Sequence, residues 1–170
     1  NQEVHMFAVS GSEGVAKEEV GELQGWVWFY NDEESRLAQV RESGLLILPK
    51  GAEVLEVSFA RYDKAASGQM ESGLRQACTV IAAMRVNQDD DATEPTLIVT
   101  AYTNPKNVAS RRVLERSGFV AKGDVVYDPA DDPNPDILYV LDWARLNEIV
   151  HEKSDEIIKE RLETINSEKS

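Results

Sequence analysis

Apolar positions along the chain change period several times, and each change marks an element. Residues 4–10 and 21–30 carry short apolar runs of strand length, and alternation in the second can place Trp26 and Trp28 on one face. The polar stretch 11–20 between them reads as a hairpin connection, so an antiparallel pair is expected. A turn follows at 31–34. Residues 35–50 are ambiguous: Leu37, Val40, Leu45 and Leu46 fit a helical turn, while 45–48 fits a short strand. Residues 53–61 read as a central strand with Val54, Leu55, Val57 and Phe59 apolar. After Gly68 the spacing becomes helical, with Met70, Leu74, Ala77, Cys78, Ile81 and Met84 recurring at three and four.

An acidic surface loop is expected over 87–95. Residues 96–102 are apolar and β-branched, as in a buried strand. Asn104 and Pro105 signal a turn, Asn107 can cap a helix, and Ala109, Val113 and Leu114 fall on one face of it. Gly118 fits the position just past the helix end, with Phe119 folding back onto the last turn. Two further strands are predicted at 120–127 and 137–143, joined by a loop rich in Asp and Pro. Residues 144–170 form a charged amphipathic pattern with Leu146, Ile149, Val150, Ile157, Ile158 and Leu162. The predicted order is strand, strand, strand, helix, strand, helix, strand, strand, helix, an α/β chain.

Composition narrows the function classes. At 170 residues, with 42% hydrophobic and 29% charged residues, the chain is sized for one domain with a real core. A formal net charge of −13 disfavours a nucleic-acid groove, because phosphates would be repelled, and is compatible with cationic or amine substrates. The single cysteine, Cys78, excludes an internal disulfide and sits on the apolar helical face as a packing residue. No apolar run has membrane-spanning length, and a cytoplasmic location is expected. His5 and His151 lack ligand clusters at metal spacing, and Asp89, Asp90 and Asp91 lack the Gly and distal Glu of a calcium loop, so no metal site is expected.

The run Asn107, Ser110, Val113, Leu114, Glu115, Arg116, Ser117, Gly118, Phe119 resembles the C-terminal half of the GNAT superfamily, the acyl-CoA N-acyltransferases. The resemblance implies a central mixed β-sheet flanked by helices over residues 1–143, with 144–170 as a helical extension. The family's first strand and first two helices have no counterpart before residue 4. A fragment, a homo-oligomer contact, or a separate chain supplying those elements would account for this.

The resemblance also implies acetyl-CoA as donor and a primary amine of a small molecule or peptide as acceptor, attacked directly without a covalent intermediate. The coenzyme A pyrophosphate would lie on the stretch Gly68, Gln69, Met70, Glu71, Ser72, Gly73, Leu74, where a helix N-terminus offers backbone N–H groups. Gln69 fits the first position of the family's loop pattern, but Ser72 and Leu74 stand where it has small residues. Arg75, one turn in, can approach a phosphate or lie solvated. The pantetheine arm would run between strands 53–61 and 96–103, along the backbone of Phe59 and Arg61 and onto Asn107. Many members protonate the departing thiolate with a Tyr at the place Leu114 occupies here. Other branches carry a Ser one turn earlier, where Ser110 stands, and Ser110 is the candidate donor to the thiolate.

The attacking amine must be neutral, so a base is needed. Glu56, flanked by apolar residues on the central strand, is the candidate, its pKa raised by its surroundings; an exposed strand Glu or a water chain is the alternative. The departures at Ser72, Leu74 and Leu114 also leave open a GNAT-like module that has lost catalysis and serves ligand binding or interaction.

Overall fold

The computed structural model describes residues 4–10, 23–32, 34–61, 68–86, 97–126, 134–142, 144–148 and 151. The elements are β1 (Val4–Ser10), β2 (Leu23–Asn31), α1 (Glu34–Glu42), β3 (Glu53–Arg61), α2 (Gln69–Val86), β4 (Leu97–Thr103), α3 (Val108–Arg116), β5 (Val120–Val125) and β6 (Asp136–Leu141). The six strands form one sheet in the order β1-β2-β3-β4-β6-β5. β3 and β4 pair in parallel; every other neighbouring pair is antiparallel. The sheet is therefore mixed, as expected.

One element differs from the expected order. α1 occupies 34–42, whereas 45–48 runs without strand pairing. Gly44, at φ +70°, turns the chain out of the helix where a side chain would be strained. The segment after it still buries apolar surface, since Leu45, Leu46 and Leu48 pack on one face of the sheet. The expected hairpin connection at 11–20 and acidic loop at 87–95 lie outside the described residues, as does most of the loop before β6. Of the C-terminal helix, 144–148 is helical and Leu146 is fully buried; Ile149, Val150, Ile157, Ile158 and Leu162 lie outside.

Strand alternation sorts the core into two clusters. On one face, Val27, Phe29, Leu55, Val57, Val99, Ala101, Tyr139 and Leu141 meet Leu74, Cys78 and Ile81 of α2 and Leu114 of α3. On the other, Ile98, Leu138 and Val140 meet Val40 of α1 and the leucines after it. Cys78 is buried, and burial pushes its thiol up to about 12, consistent with a packing role. Met84, expected on the same helical face, is 36% exposed.

α3 is fixed at both ends. The Asn107 side chain accepts from the Ser110 N–H at 3.1 Å, capping the first turn. At the other end Gly118 adopts φ +98°, the Gly118 N–H reaches the Glu115 carbonyl and the Phe119 N–H reaches Leu114, a Schellman ending. Laterally, Arg111 Nε donates to Tyr139 Oη, which donates to Glu115 at 2.8 Å, tying the helix to β6.

Gly73 is where α2 meets β1: a Cβ there would lie 2.6 Å from the Val9 methyls. Gly73→Ala should therefore destabilise by about 1–3 kcal/mol through overpacking. In a Val9→Ala background the penalty should shrink by at least half, because the methyls are gone and only the Cβ at residue 9, 3.1 Å away, still opposes the helix preference for Ala over Gly of about 1 kcal/mol. Chemical denaturation of the four chains tests this, and an equal penalty in both backgrounds would refute it.

Candidate functional site

β3 and β4 pair for only part of their length. The parallel register runs from Glu53 opposite Leu97 to Glu56 opposite Thr100 and stops there. β3 nevertheless continues to Arg61, paired with β2, and β4 continues to Thr103, paired with β6. Each strand stays bonded on its outer side while the two part from each other. The gap opens toward the C-terminal ends of a parallel pair, where α/β sheets bind ligands.

Two adjoining cavities fill this opening. One, about 320 Å³, is bordered by Trp28, Ser58 and Phe59 of β2 and β3, Tyr102 of β4, and Asn107 and Ser110 at the start of α3. The other, about 250 Å³, also touches Phe59 and Ser110 and extends to Gly68, Met70 and Glu71 at the start of α2, with Arg61, Arg112 and Arg116. A chain of net charge −13 thus places three arginines around one cavity, one of them, Arg116, paired at 3.6 Å with Glu71 in the first turn of an 18-residue helix whose N–H groups also face it. That combination suits an anionic ligand.

The expected cofactor residues divide into groups. Phe59, Arg61, Gly68, Met70, Glu71, Asn107 and Ser110 border the two cavities. Gln69, Ser72 and Gly73 border a separate groove of about 270 Å³ between α2 and β1. Gly73 accommodates Val9 there, so its lack of a side chain has a packing cause. The Leu74 side chain is fully buried in the core, and Arg75 borders none of these cavities. Arg112 and Arg116 were not singled out from sequence. Their spacing of four on α3 was the available signal, because it puts both on one face of a helix whose start was already identified.

The sheet face opposite α2 and α3 carries a buried polar cluster. Glu56 is 6% exposed, and its carboxylate accepts from Arg36 of α1 at 2.7 Å. The Arg36 guanidinium lies 4.3 Å from the centroid of the Tyr102 ring. Tyr102 Oη and Thr100 Oγ1 both donate to Asp32 Oδ2, at 2.9 and 2.8 Å. Burial raises the Glu56 carboxyl above its ordinary value; a hydrogen bond from Tyr30 and the Arg36 charge oppose this, and Asp32 adds to it. Glu56 does not itself border the cavity in the strand gap. Arg36, Asp32 and Tyr102 were not foreseen, since they come from α1, the end of β2 and β4 and meet only across the sheet.

Among the described residues no group of three His, Cys, Asp or Glu side chains is placed to hold a metal, and no helix is long and apolar enough to cross a membrane.

A mixed sheet opened at one parallel pair, with the starts of two helices facing the gap, is the GNAT acyltransferase fold, and this chain has it. A spermidine N-acetyltransferase from Vibrio cholerae, solved with CoA and spermine, superposes with a TM-score of 0.50 over 84% of this chain and 68% of that one, at 12% identity. An aminoglycoside acetyltransferase solved with coenzyme A and kanamycin matches at 18% identity and a TM-score of 0.47, over 75% of this chain. The match spans 64% of that enzyme's length. No family model matches the chain, and no characterised protein matches it in sequence.

Arg36→Met should expose the electrostatic state of the cluster. Glu56 has a folded value above its ordinary 4.5, so its contribution to stability is full below that value and is lost as pH rises through the raised one. Removing Arg36 should raise it further and cost about 3 kcal/mol at pH 7, where a buried charge is left unpaired, and much less near pH 4. Urea unfolding across pH 4–8 reads this, and a penalty that does not depend on pH would contradict it.

Proposed function

We propose that the chain is an acetyl-CoA-dependent N-acetyltransferase acting on a primary amine of a small molecule or peptide. The observation that carries this is the interruption of β3–β4 pairing after Glu56 and Thr100, bordered on one side by Arg61, Arg112, Arg116 and the start of α2. The pyrophosphate and 3′-phosphate of coenzyme A would meet those arginines and the first-turn N–H groups. The pantetheine would lie in the strand gap, taking the backbone groups of β3 that β4 leaves unpaired. The thioester then reaches Ser110, which borders both cavities, with Asn107 beside it in the strand gap.

The amine would enter from the opposite sheet face, through the cavity side bordered by Trp28, Ser58 and Tyr102. Holding amine and thioester across the gap supplies proximity, the main requirement of a direct displacement. Glu56 is the terminal proton acceptor from the amine, its raised pKa suiting it to that role. Ser110 donates a hydrogen bond to the departing thiolate. Leu114, where a tyrosine acid would stand, borders the strand-gap cavity but is 1% exposed and has no proton to give, so it is not the acid. That same substitution favours the second reading, a module that binds the cofactor without turnover.

Calorimetry with coenzyme A tests the binding claim. Arg112→Ala should weaken binding by about tenfold, near 1.4 kcal/mol for a lost charge-assisted bond to phosphate, and the loss should shrink in high salt. No heat at millimolar coenzyme A would remove the cofactor from this chain. Turnover of acetyl-CoA with spermine, kanamycin and a lysine peptide separates enzyme from binding module. Ser110→Ala should lower turnover about tenfold or less while leaving coenzyme A affinity unchanged, because the bond forms mainly in the transition state.

A further inference from the structure

The cavity in the strand gap stops short of Glu56. Its border includes Ser58, two residues along β3 on the same face, but not the carboxylate, which is 6% exposed. The space between them is bridged by β2. The antiparallel register sets Tyr30 opposite Glu56 and Trp28 opposite Ser58. Tyr30 Oη lies 3.1 Å from Ser58 Oγ, and Tyr30 lowers the Glu56 pKa while Glu56 raises that of Tyr30, as a phenol facing a carboxylate does.

The 3.1 Å contact admits either hydroxyl as donor. An ionised carboxylate can only accept, so a phenol proton turned toward Glu56 makes the Ser58 hydroxyl the donor to the phenol oxygen. That leaves the Ser58 oxygen with lone pairs available to a donor in the cavity. The chain of donors therefore points one way, from the cavity to the buried carboxylate.

We propose that Ser58 and Tyr30 form a proton relay that carries the proton of the attacking amine from the strand-gap cavity to Glu56. The relay presupposes the acyl transfer proposed for the chain, and it names the route by which a buried base serves it. In the step, an N–H of the ammonium, or of the first-formed adduct, gives its proton to Ser58 Oγ. The Ser58 proton passes to Tyr30 Oη, and the Tyr30 proton passes to a Glu56 carboxylate oxygen. Both hydroxyls end neutral; the amine nitrogen has lost one proton and Glu56 has gained one. No oxidant or other reactant is needed.

The surroundings fit a relay better than independent acid–base groups. Burial pushes Tyr30 up to about 12, with the Glu56 bond adding to the rise, so the phenol does not hold a charge of its own near neutral pH. The groups facing Glu56 are Arg36 from α1, Asp32 at the end of β2, Tyr30 from β2 and Tyr102 from β4. Arg36 binds Glu56 Oε2, so the guanidinium anchors the terminal acceptor without occupying the phenol or serine oxygens. Tyr102 also borders the cavity, but its hydroxyl leads to Asp32, an oxygen already holding the Thr100 hydroxyl.

The test is a set of pH–rate profiles for the full chain with acetyl-CoA, taking as acceptor whichever of spermine, kanamycin and benzylamine the wild type acetylates fastest. Tyr30→Phe, Ser58→Ala and Glu56→Gln should each lower kcat/KM by about tenfold near pH 7, with losses that shrink as free amine becomes abundant. The Tyr30→Phe/Glu56→Gln pair should be no slower than the slower single variant, because both break one path. Ser58→Thr, which keeps the hydroxyl, should restore the rate. Independently of turnover, carbon-13 titration should show the Glu56 pKa rising in Tyr30→Phe, since a donor to its charged form is gone. If Glu56→Gln is slow while Tyr30→Phe and Ser58→Ala run at the wild-type rate, the base stands and the relay falls. A Ser58→Ala rate equal to wild type with Tyr30→Phe impaired removes the Ser58 link and overturns the relay as stated. If Glu56→Gln keeps full rate, or the wild type acetylates none of the amines, base and relay fall together.

Discussion

The candidate site of this molecule depends on one interrupted strand pairing. A parallel pair in the middle of a sheet normally satisfies its backbone groups along its whole length. Here β3 and β4 are bonded from Glu53 and Leu97 to Glu56 and Thr100 and then part, each held by its outer neighbour. The inner edges of both strands beyond that point are a row of donors and acceptors inside a folded sheet. An extended polar ligand such as a pantetheine arm can complete those bonds. Leaving them open is costly, which is the physical basis of the proposed binding role, and the surrounding elements keep the gap open. α3 is capped by Asn107, ended by Gly118 and tied to Tyr139, so the side chains it presents at the gap are fixed.

The two faces of the sheet do different electrostatic work. On the α2 and α3 face, Arg61, Arg112 and Arg116 gather in an otherwise acidic chain beside a helix start. Glu71 offsets Arg116 there at 3.6 Å, so three cations against one carboxylate leave the cavity locally positive in a chain that is negative overall. On the α1 face, Asp32, Glu56 and Arg36 lie in a largely dry layer with Tyr30, Thr100 and Tyr102. Burial of the carboxylate, with the Asp32 charge adding to it, explains why the Glu56 carboxyl is raised despite its ion pair. A carboxylate that holds its proton more readily is a better acceptor near neutral pH.

Much of this was legible in the sequence. Strand and helix periods placed β1, β3, α2 and α3 within a residue or two, because apolar patterning and end signals such as Asn107 and Gly118 act locally. The Asn107–Phe119 run pointed to the GNAT fold that the structure has. Glu56 stood out as a carboxylate among apolar residues on a central strand, and Ser110 because the resemblance to the family puts a Ser at that place. Residues 35–50 were not decided, since leucines at those spacings suit both a helix and an extended packed segment. Burial against Ile98 and Val140 selects among them, and that is information from distant strands.

What the chain alone determined is thus the local part: which stretches are strands or helices, where they begin and end, and which residues have chemistry worth placing. The tertiary structure decided which of those residues meet. Parallel pairing that ends at Glu56 brings β3 and β4 apart; antiparallel register sets Tyr30 against Glu56; α1 delivers Arg36 across the sheet; α3 turns Arg112 and Arg116 toward the start of α2. Gly73 shows the same division: its sequence context suggested room for a ligand, and packing gave the room to Val9. The reason is physical. Periodicity and capping depend on neighbours within a turn or two, whereas register, strand parting and burial of charge depend on contacts between residues tens of positions apart.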